Sequence, residues 1–112
     1  AILIDRGDLS RQIPIEKIPL IQRKIISIAR HRKKDVYVAT NLLESMVETK
    51  LPTRAETNDV VSTLDMGASG LVLAAETAIG NYPADCVEMI AKLIDEFESW
   101  TPNVSIEELL SN

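Results

Sequence analysis

The stretch Ile2-Leu3-Ile4-Asp5-Arg6-Gly7-Asp8-Leu9-Ser10 decides how this chain is read. An apolar run stops abruptly and a cluster of charge follows it. Taken alone, Arg6-Gly7-Asp8 has three readings: an adhesion tripeptide, a turn that ends a strand, or the carboxylate corner of a metal-assisted site. The surrounding sequence repeats the pattern. Residues 36–39 run into Thr40 and Asn41, and residues 71–74 run toward Glu76 and Thr77. Together with residues 1–4 these are continuous Ile/Val/Leu-rich runs, not alternating ones. Strands buried on both faces of a parallel sheet read this way. The runs recur about every 35 residues, close to the ~30 residues per strand-helix unit of an eightfold α/β barrel.

The segments between the runs are helical. In residues 14–33, Ile18, Ile21, Ile25 and Ile28 form one apolar stripe, with Gln22, Arg23, Ser27 and Arg30 opposite. Pro19 divides this segment into a short turn and a longer helix that carries the proline in its first turn. Residues 42–48 suggest a shorter helix. Thr53-Arg54-Ala55-Glu56 fits a capping box, and Gly67 is the stop after Met66. A long helix opens at Pro83, with Val87, Ile90, Ile94 and Phe97 as its stripe. Ser105-Ile106-Glu107-Glu108 is a second capping box and predicts a last short helix in the tail. The order β-α-β-α-β-α implies an α/β fold of three parallel strands with crossover helices. Two architectures compete, a doubly wound sheet and part of a TIM (β/α)8 barrel. The chain has four glycines and no G-x-G-x-x-G pattern, which favours the barrel.

Composition narrows the function classes. The 112 residues suffice for one small domain, and the 46% hydrophobic and 26% charged content is that of a globular protein. A net charge of −5 argues against nucleic acid or an anionic membrane as the main partner. The basic run Arg30-His31-Arg32-Lys33-Lys34 falls where a helix ends and suits the negative end of its dipole. Cys86 is the single cysteine and His31 the single histidine. That excludes an internal disulfide, a Cys-rich metal site and a multi-His site within the chain. Cys86 reads as a buried structural thiol. No apolar run approaches the ~18 residues of a membrane span, and the expected location is cytoplasmic. The chain starts inside a strand-like run without Met, so it is expected to be a piece of a longer protein.

In either architecture the functional face lies at the C-terminal ends of the strands. Asp5, Arg6, Gly7 and Asp8 follow the first run; Thr40 and Asn41, then Glu44 and Ser45, follow the second; Glu76 and Thr77 follow the third. Hard oxygen ligands in such places suit Mg²⁺, and a helical turn beginning there favours anions. From spacing alone, Asp8, Thr40 and Glu76 either build a site or simply cap the helices that follow.

Motifs at these positions carry a family resemblance. Arg6-Gly7-Asp8-Leu9 with Ile13-Pro14-x-Glu16-Lys17 resembles the sixth barrel strand and loop of pyruvate kinase. Ala39-Thr40-x-x-Leu43-Glu44-Ser45-Met46, followed by Pro52-Thr53-Arg54-Ala55-Glu56 and Asp59-Val60, resembles the seventh. The run from Gly67-Ala68 to Leu73, then Glu76-Thr77-Ala78-x-Gly80-x-Tyr82-Pro83, resembles the eighth. The likeness covers residues 1–98 in unbroken order, so residues 1–100 read as the C-terminal portion of such a barrel and 101–112 as a tail.

The resemblance implies phosphoenolpyruvate and ADP as substrates, pyruvate and ATP as products, and Mg²⁺ and K⁺ as cofactors. Asp8 would be one carboxylate on the divalent metal. The backbone N–H groups of Gly7 and Asp8, with the Thr40 hydroxyl, would hold the substrate carboxylate. Arg6 and Glu76 would support the loops, and Arg54 would lie at a subunit contact. The family's catalytic Lys, its metal-binding Glu and its phosphate and K⁺ ligands lie on earlier strands, so the chain alone is expected to be inactive and to need the missing barrel half or self-association. The third loop departs from the usual Ser-Gly-Glu-Thr-Ala-Lys-Gly. Ala74 stands for the proton-relaying Ser and Ile79 for the Lys near the nucleotide phosphates; Asn41 replaces the usual Gln. These departures imply an alternative: a divergent, non-catalytic barrel module that binds a keto acid or enolpyruvate, or acts through self-assembly.

Overall fold

Each apolar run forms a strand, and each is followed by helix. The computed structural model describes residues 1–111. Strand β1 (Ile2–Asp5) leads directly into helix α1 (Arg6–Gln12); a 3-10 turn (Ile15–Lys17) and α2 (Ile18–His31) follow. Strand β2 (Val36–Ala39), a 3-10 turn (Glu44–Val47) and α3 (Arg54–Met66) form the second unit. Strand β3 (Gly70–Val72), α4 (Ala75–Ala78) and α5 (Pro83–Ser99) form the third, and α6 (Ile106–Leu110) lies in the tail. Among the described residues the sheet has three strands in the order β1-β2-β3, and both pairs are parallel. Ile4 lies beside Val38, and Val38 beside Leu71.

The core sits between this sheet and the helices. Ile4, Val36 and Val38 pack on Ile26 and Ala29 of α2. Leu42, Leu43 and Met46 pack on Val60 of α3 and Cys86 of α5. Leu71 touches both clusters and joins them. Each fully buried aliphatic side chain contributes roughly 1.5–3 kcal/mol, so the two clusters hold β2 and its following loop most firmly.

The continuous runs predict burial on both sheet faces, and here the structure differs. Leu3, Tyr37 and Val72 are each more than a third exposed, because no layer among the described residues covers that face. Strand β3 also ends earlier than the apolar run, because the Ala74 N–H turns to the Glu76 carboxylate. On α2 the buried face is Gln22, Ile26 and Ala29, rotated from the expected stripe, while Ile28 is exposed. Gln22 is buried because its side-chain amide reaches the Thr63 hydroxyl at 3.4 Å, which satisfies a polar group that the sequence pattern placed in water. On α5, Cys86 is buried with Met89, Ile90 and Leu93 against it, and Val87 is exposed.

The helix boundaries follow local chemistry. The capping box at Thr53 is complete, with Glu56 N–H on Thr53 Oγ1 and Thr53 N–H on the Glu56 carboxylate. Gly67 ends α3 at φ +109°, a conformation that a side chain opposes. Pro19 and Pro83 both sit in first turns. Ser105 caps α6 by accepting the Glu108 N–H. Arg30 and His31 lie in the last turn of α2, and the Arg30 guanidinium also reaches the Met66 carbonyl at the end of α3. No helix among the described residues is long and apolar enough to cross a membrane.

Candidate functional site

Because the strands are parallel, their C-terminal ends lie along one edge of the sheet. Thr40 is the hub of that edge. It follows β2 directly at φ +72°, and Asn41 comes next at φ +58°. Two consecutive non-glycine residues in the left-handed region, the first β-branched, cost of the order of 1–3 kcal/mol each and persist only where neighbours fix them.

The neighbours are specific. The Arg6 guanidinium donates from Nε (3.1 Å) and Nη2 (2.9 Å) to the Thr40 carbonyl oxygen. Its third nitrogen, Nη1, pairs with Asp59 Oδ1 of α3 at 2.8 Å. Arg6 is largely buried, with its side chain 13% exposed, so one planar group ties the start of α1, the loop after β2 and α3 together. The Gly7 N–H donates to Thr40 Oγ1 at 2.7 Å. The Thr40 hydroxyl in turn has two acceptors for its single proton, Ala39 O at 2.6 Å and Asp5 Oδ1 at 3.2 Å.

Asp5 accepts a second bond, from the Asp8 N–H at 3.2 Å, and so caps α1. The Asp8 backbone N–H, above all, with lesser help from Thr40 and Gly7, holds the Asp5 carboxyl below the usual carboxylate range despite some desolvation. Sequence reasoning placed Asp5 in the charged cluster without giving it a role. The signal was there: an Asp followed three residues later by another acid marks a helix start. The Asp59 anchor for Arg6 was missed, because a pairing across 53 positions leaves no local trace.

Asp8 is exposed, and its Oδ1 pairs with Arg11 Nη1 at 2.9 Å. It offers one hard oxygen ligand on the strand-end edge, which fits part of a Mg²⁺ shell, since Mg²⁺ takes one or two carboxylates and fills the rest with water and substrate oxygens. Among the described residues no group of three or more His, Cys, Asp or Glu side chains could hold a metal.

Glu76 lies on the opposite flank, 1% exposed. Its Oε2 accepts the Leu43 N–H at 3.1 Å and its Oε1 the Ala74 N–H at 3.2 Å. The structure therefore brings Arg6, Gly7 and Thr40 into direct contact, places Asp8 beside them in the first turn of α1, and sets Glu76 across the loop after β2. Arg54 does not join them. It opens α3 in an exposed position.

Two clefts flank the edge. One, about 270 Å³, is lined by Ile4, Asp5, Asp8 and Leu9 on the outer side of β1. The other, about 450 Å³, is lined by Thr40, Asn41, Glu44, Ala74, Glu76 and Ile79. Its lining contains carboxylates and apolar groups and no cation. Cys86 is buried beneath this edge. Burial, then the nearby carboxylates of Glu76, Asp85 and Glu56, push its thiol up. Both effects favour the neutral thiol, which packs as a small apolar group.

Known proteins of one family resemble this chain in sequence and in fold. Residues 1–87 match the family model described as pyruvate kinase, barrel domain. The pyruvate kinase of Thermotoga maritima is 43% identical over 97 residues, covering 87% of this chain and 21% of the relative. That of Thermococcus litoralis is 39% identical over 108 residues, covering 96% of this chain and 23% of the relative. A crystal structure of a pyruvate kinase from Cryptosporidium parvum superposes with a TM-score of 0.88 at 37% identity, over 91% of this chain and 21% of that one. The chain thus spans about a fifth of the length of the curated relatives it matches.

Proposed function

The chain belongs to the pyruvate kinase family, matching its barrel domain, and from that membership we propose that it supplies the last three strand-helix units of an enzyme that transfers a phosphoryl group between phosphoenolpyruvate and ADP. Residues 1–100 are the barrel portion and 101–112 a tail. The observation that carries the reading is the seat at the strand ends, where the Asp8 N–H and the Thr40 hydroxyl already converge on one carboxylate oxygen, that of Asp5. A site that holds one carboxylate with a backbone N–H and a hydroxyl has the donors to hold another.

In this reading a ligand carboxylate displaces Asp5 and takes the N–H groups of Gly7 and Asp8 and the Thr40 hydroxyl. Arg6 keeps Thr40 in place, and Glu76 supports the loop behind it. Asp8 contributes one oxygen ligand to Mg²⁺, which when bound neutralises charge on the substrate and the transferred group. K⁺ and the remaining ligands belong to earlier strands. By itself the chain orients a substrate but does not turn it over; the rest of the barrel, or a second copy, covers the β1 and β3 edges. Arg54 takes part in a subunit contact. The protein works in the cytoplasm, without nucleic acid or membrane.

A second reading is favoured by one specific observation, the cation-free cleft at Ala74 and Ile79. There the protein is a divergent module that binds an enolpyruvate or keto acid without passing a phosphoryl group to a nucleotide. A coupled pyruvate assay on the full-length protein, with phosphoenolpyruvate, ADP and Mg²⁺, separates the two. ADP-dependent turnover that falls at least about 100-fold in Thr40→Ala supports the kinase. Binding without turnover supports the second reading, and neither binding nor turnover sinks both.

A further inference from the structure

We propose that Glu76 is a positioning residue: its carboxylate bolts the loop after β3 to the loop after β2 and thereby sets the place of the Thr40 hydroxyl. The proposal rests on the reading that Thr40 meets a ligand carboxylate. It starts from an oddity of burial. Glu76 is 1% exposed, and its side chain makes no ion pair among the described residues. A buried carboxylate without a cation is a poor device for stability, since an apolar side chain of similar size packs there at lower cost. What an apolar side chain cannot do is accept two backbone N–H groups at once.

The two donors come from two different strand ends, Leu43 after β2 and Ala74 after β3. The Leu43 N–H is three residues beyond Thr40, and the Leu43 side chain is fully buried. The segment 40–43 is therefore held at both ends, by Arg6 on the Thr40 carbonyl oxygen and by Glu76 on the Leu43 N–H. Between the two clamps lie the left-handed residues Thr40 and Asn41. A segment in this conformation relaxes when one end is released, and the side chain it carries moves with it.

The docking of the two loops does not depend on the carboxylate alone. The Asn81 N–H donates to the Val47 carbonyl oxygen at 2.9 Å. Gly80 packs against the other loop, where a Cβ would lie 3.3 Å from Val47 Cα. Removing the charge of Glu76 therefore leaves the loops together while freeing segment 40–43. Glu76→Gln does this at constant volume. The amide oxygen serves one N–H, and the amide NH₂ faces the other donor to donor.

The test is a double-mutant cycle on the full-length protein with Mg²⁺, using oxalate, a planar dicarboxylate, as the probe. Glu76→Gln is expected to weaken oxalate about tenfold, within the usual coupling between contacting groups. In a Thr40→Ala background the same substitution is expected to change oxalate affinity less than about twofold, because the hydroxyl it positions is gone. A purely structural role gives additive losses instead, and additivity overturns the proposal, as does an unchanged affinity in Glu76→Gln. If the wild-type protein itself fails to bind oxalate, the carboxylate reading of Thr40 falls and takes the proposal with it. If Glu76→Gln does not fold, Glu76→Asp carries the same cycle, since it keeps the charge and is one methylene too short to serve both loops.

Discussion

Glu56→Ala tests whether one carboxylate fastens helix α3 to the loop after β2. Glu56 accepts the Thr53 N–H at 2.9 Å and the Ser45 N–H at 2.8 Å, and both hydroxyls of those residues also point to it. Thr53 is exposed, so water replaces much of its lost bond, leaving a cost of about 0.5–1 kcal/mol. Ser45 is half-buried, and its N–H loses a charged acceptor, worth about 1–2 kcal/mol after screening. The expected loss is about 1.5–3 kcal/mol at pH 7, and about half of that for Glu56→Gln, which keeps one acceptor oxygen. The pH dependence has a definite sign. Partial burial pushes the Glu56 carboxyl up, but the Ser45 hydroxyl and N–H, then Thr53, pull it further down, so it sits below its ordinary value of 4.5. A carboxyl with a depressed folded pKa stabilises fully above its unfolded value and loses that contribution as the pH falls through the folded one. Urea denaturation followed by circular dichroism, with hydrogen exchange at the first turn of α3, measures the penalty at pH 7 and again at acid pH. The penalty of Glu56→Gln should shrink below pH 4.5. A loss under about 0.5 kcal/mol at pH 7, or an equal loss at both pH values, refutes the reasoning.

Three other substitutions bear on the strand-end edge. Arg6→Lys keeps the charge but cannot span Thr40 O and Asp59, so oxalate affinity measured by calorimetry should fall about tenfold. Gly80→Ala forces a Cβ to within 2.3 Å of the Glu76 carbonyl oxygen in its own turn; the turn after α4 must shift, at a cost of about 2–3 kcal/mol, seen as a lowered midpoint in urea. Asp5→Ala removes the internal carboxylate from the seat, and oxalate should bind at least severalfold tighter in the same calorimetric titration; weaker binding would show that Asp5 assists the ligand and does not compete with it.

The parallel sheet was legible because its evidence is local and repeated. Each apolar run ends in polar residues, and Pro19, Thr53, Gly67 and Pro83 mark helix limits by their own backbone chemistry. Helix faces were less legible. The α2 stripe was misplaced at Gln22, whose burial depends on Thr63, 41 positions away. Val87 looked like core on α5, but the smaller Cys86 is the residue that faces Met46 and Val60. Periodicity fixes which residues share a face; it does not say which of two adjacent faces turns inward when both carry apolar groups. The site residues were gathered from strand ends, a topological rule, and Arg6, Gly7 and Thr40 do meet. Their clamps, Asp59 and the Glu76–Leu43 bond, join distant positions and have no sequence signature.

The Arg6-Gly7-Asp8 tripeptide is best understood through the residue before it. As an adhesion signal it would need to present Arg6 to a partner, yet that guanidinium is buried on Thr40 and Asp59. As a strand stop it would need no second carboxylate, yet Asp5 and Asp8 divide two tasks between them. Asp5 turns inward and takes the Asp8 N–H and the Thr40 hydroxyl, while the Asp8 side chain stays exposed on the outer edge with Arg11. The inner seat and the outer oxygen are therefore separate positions, filled by different residues. On the proposed reading, a ligand with one carboxylate and one metal-bound oxygen would engage both, displacing Asp5 while meeting Asp8. The strength of the internal cap then sets how readily such a ligand enters. On that reading position 5, outside the tripeptide itself, tunes the affinity of this edge for a carboxylate, which the Asp5→Ala titration measures.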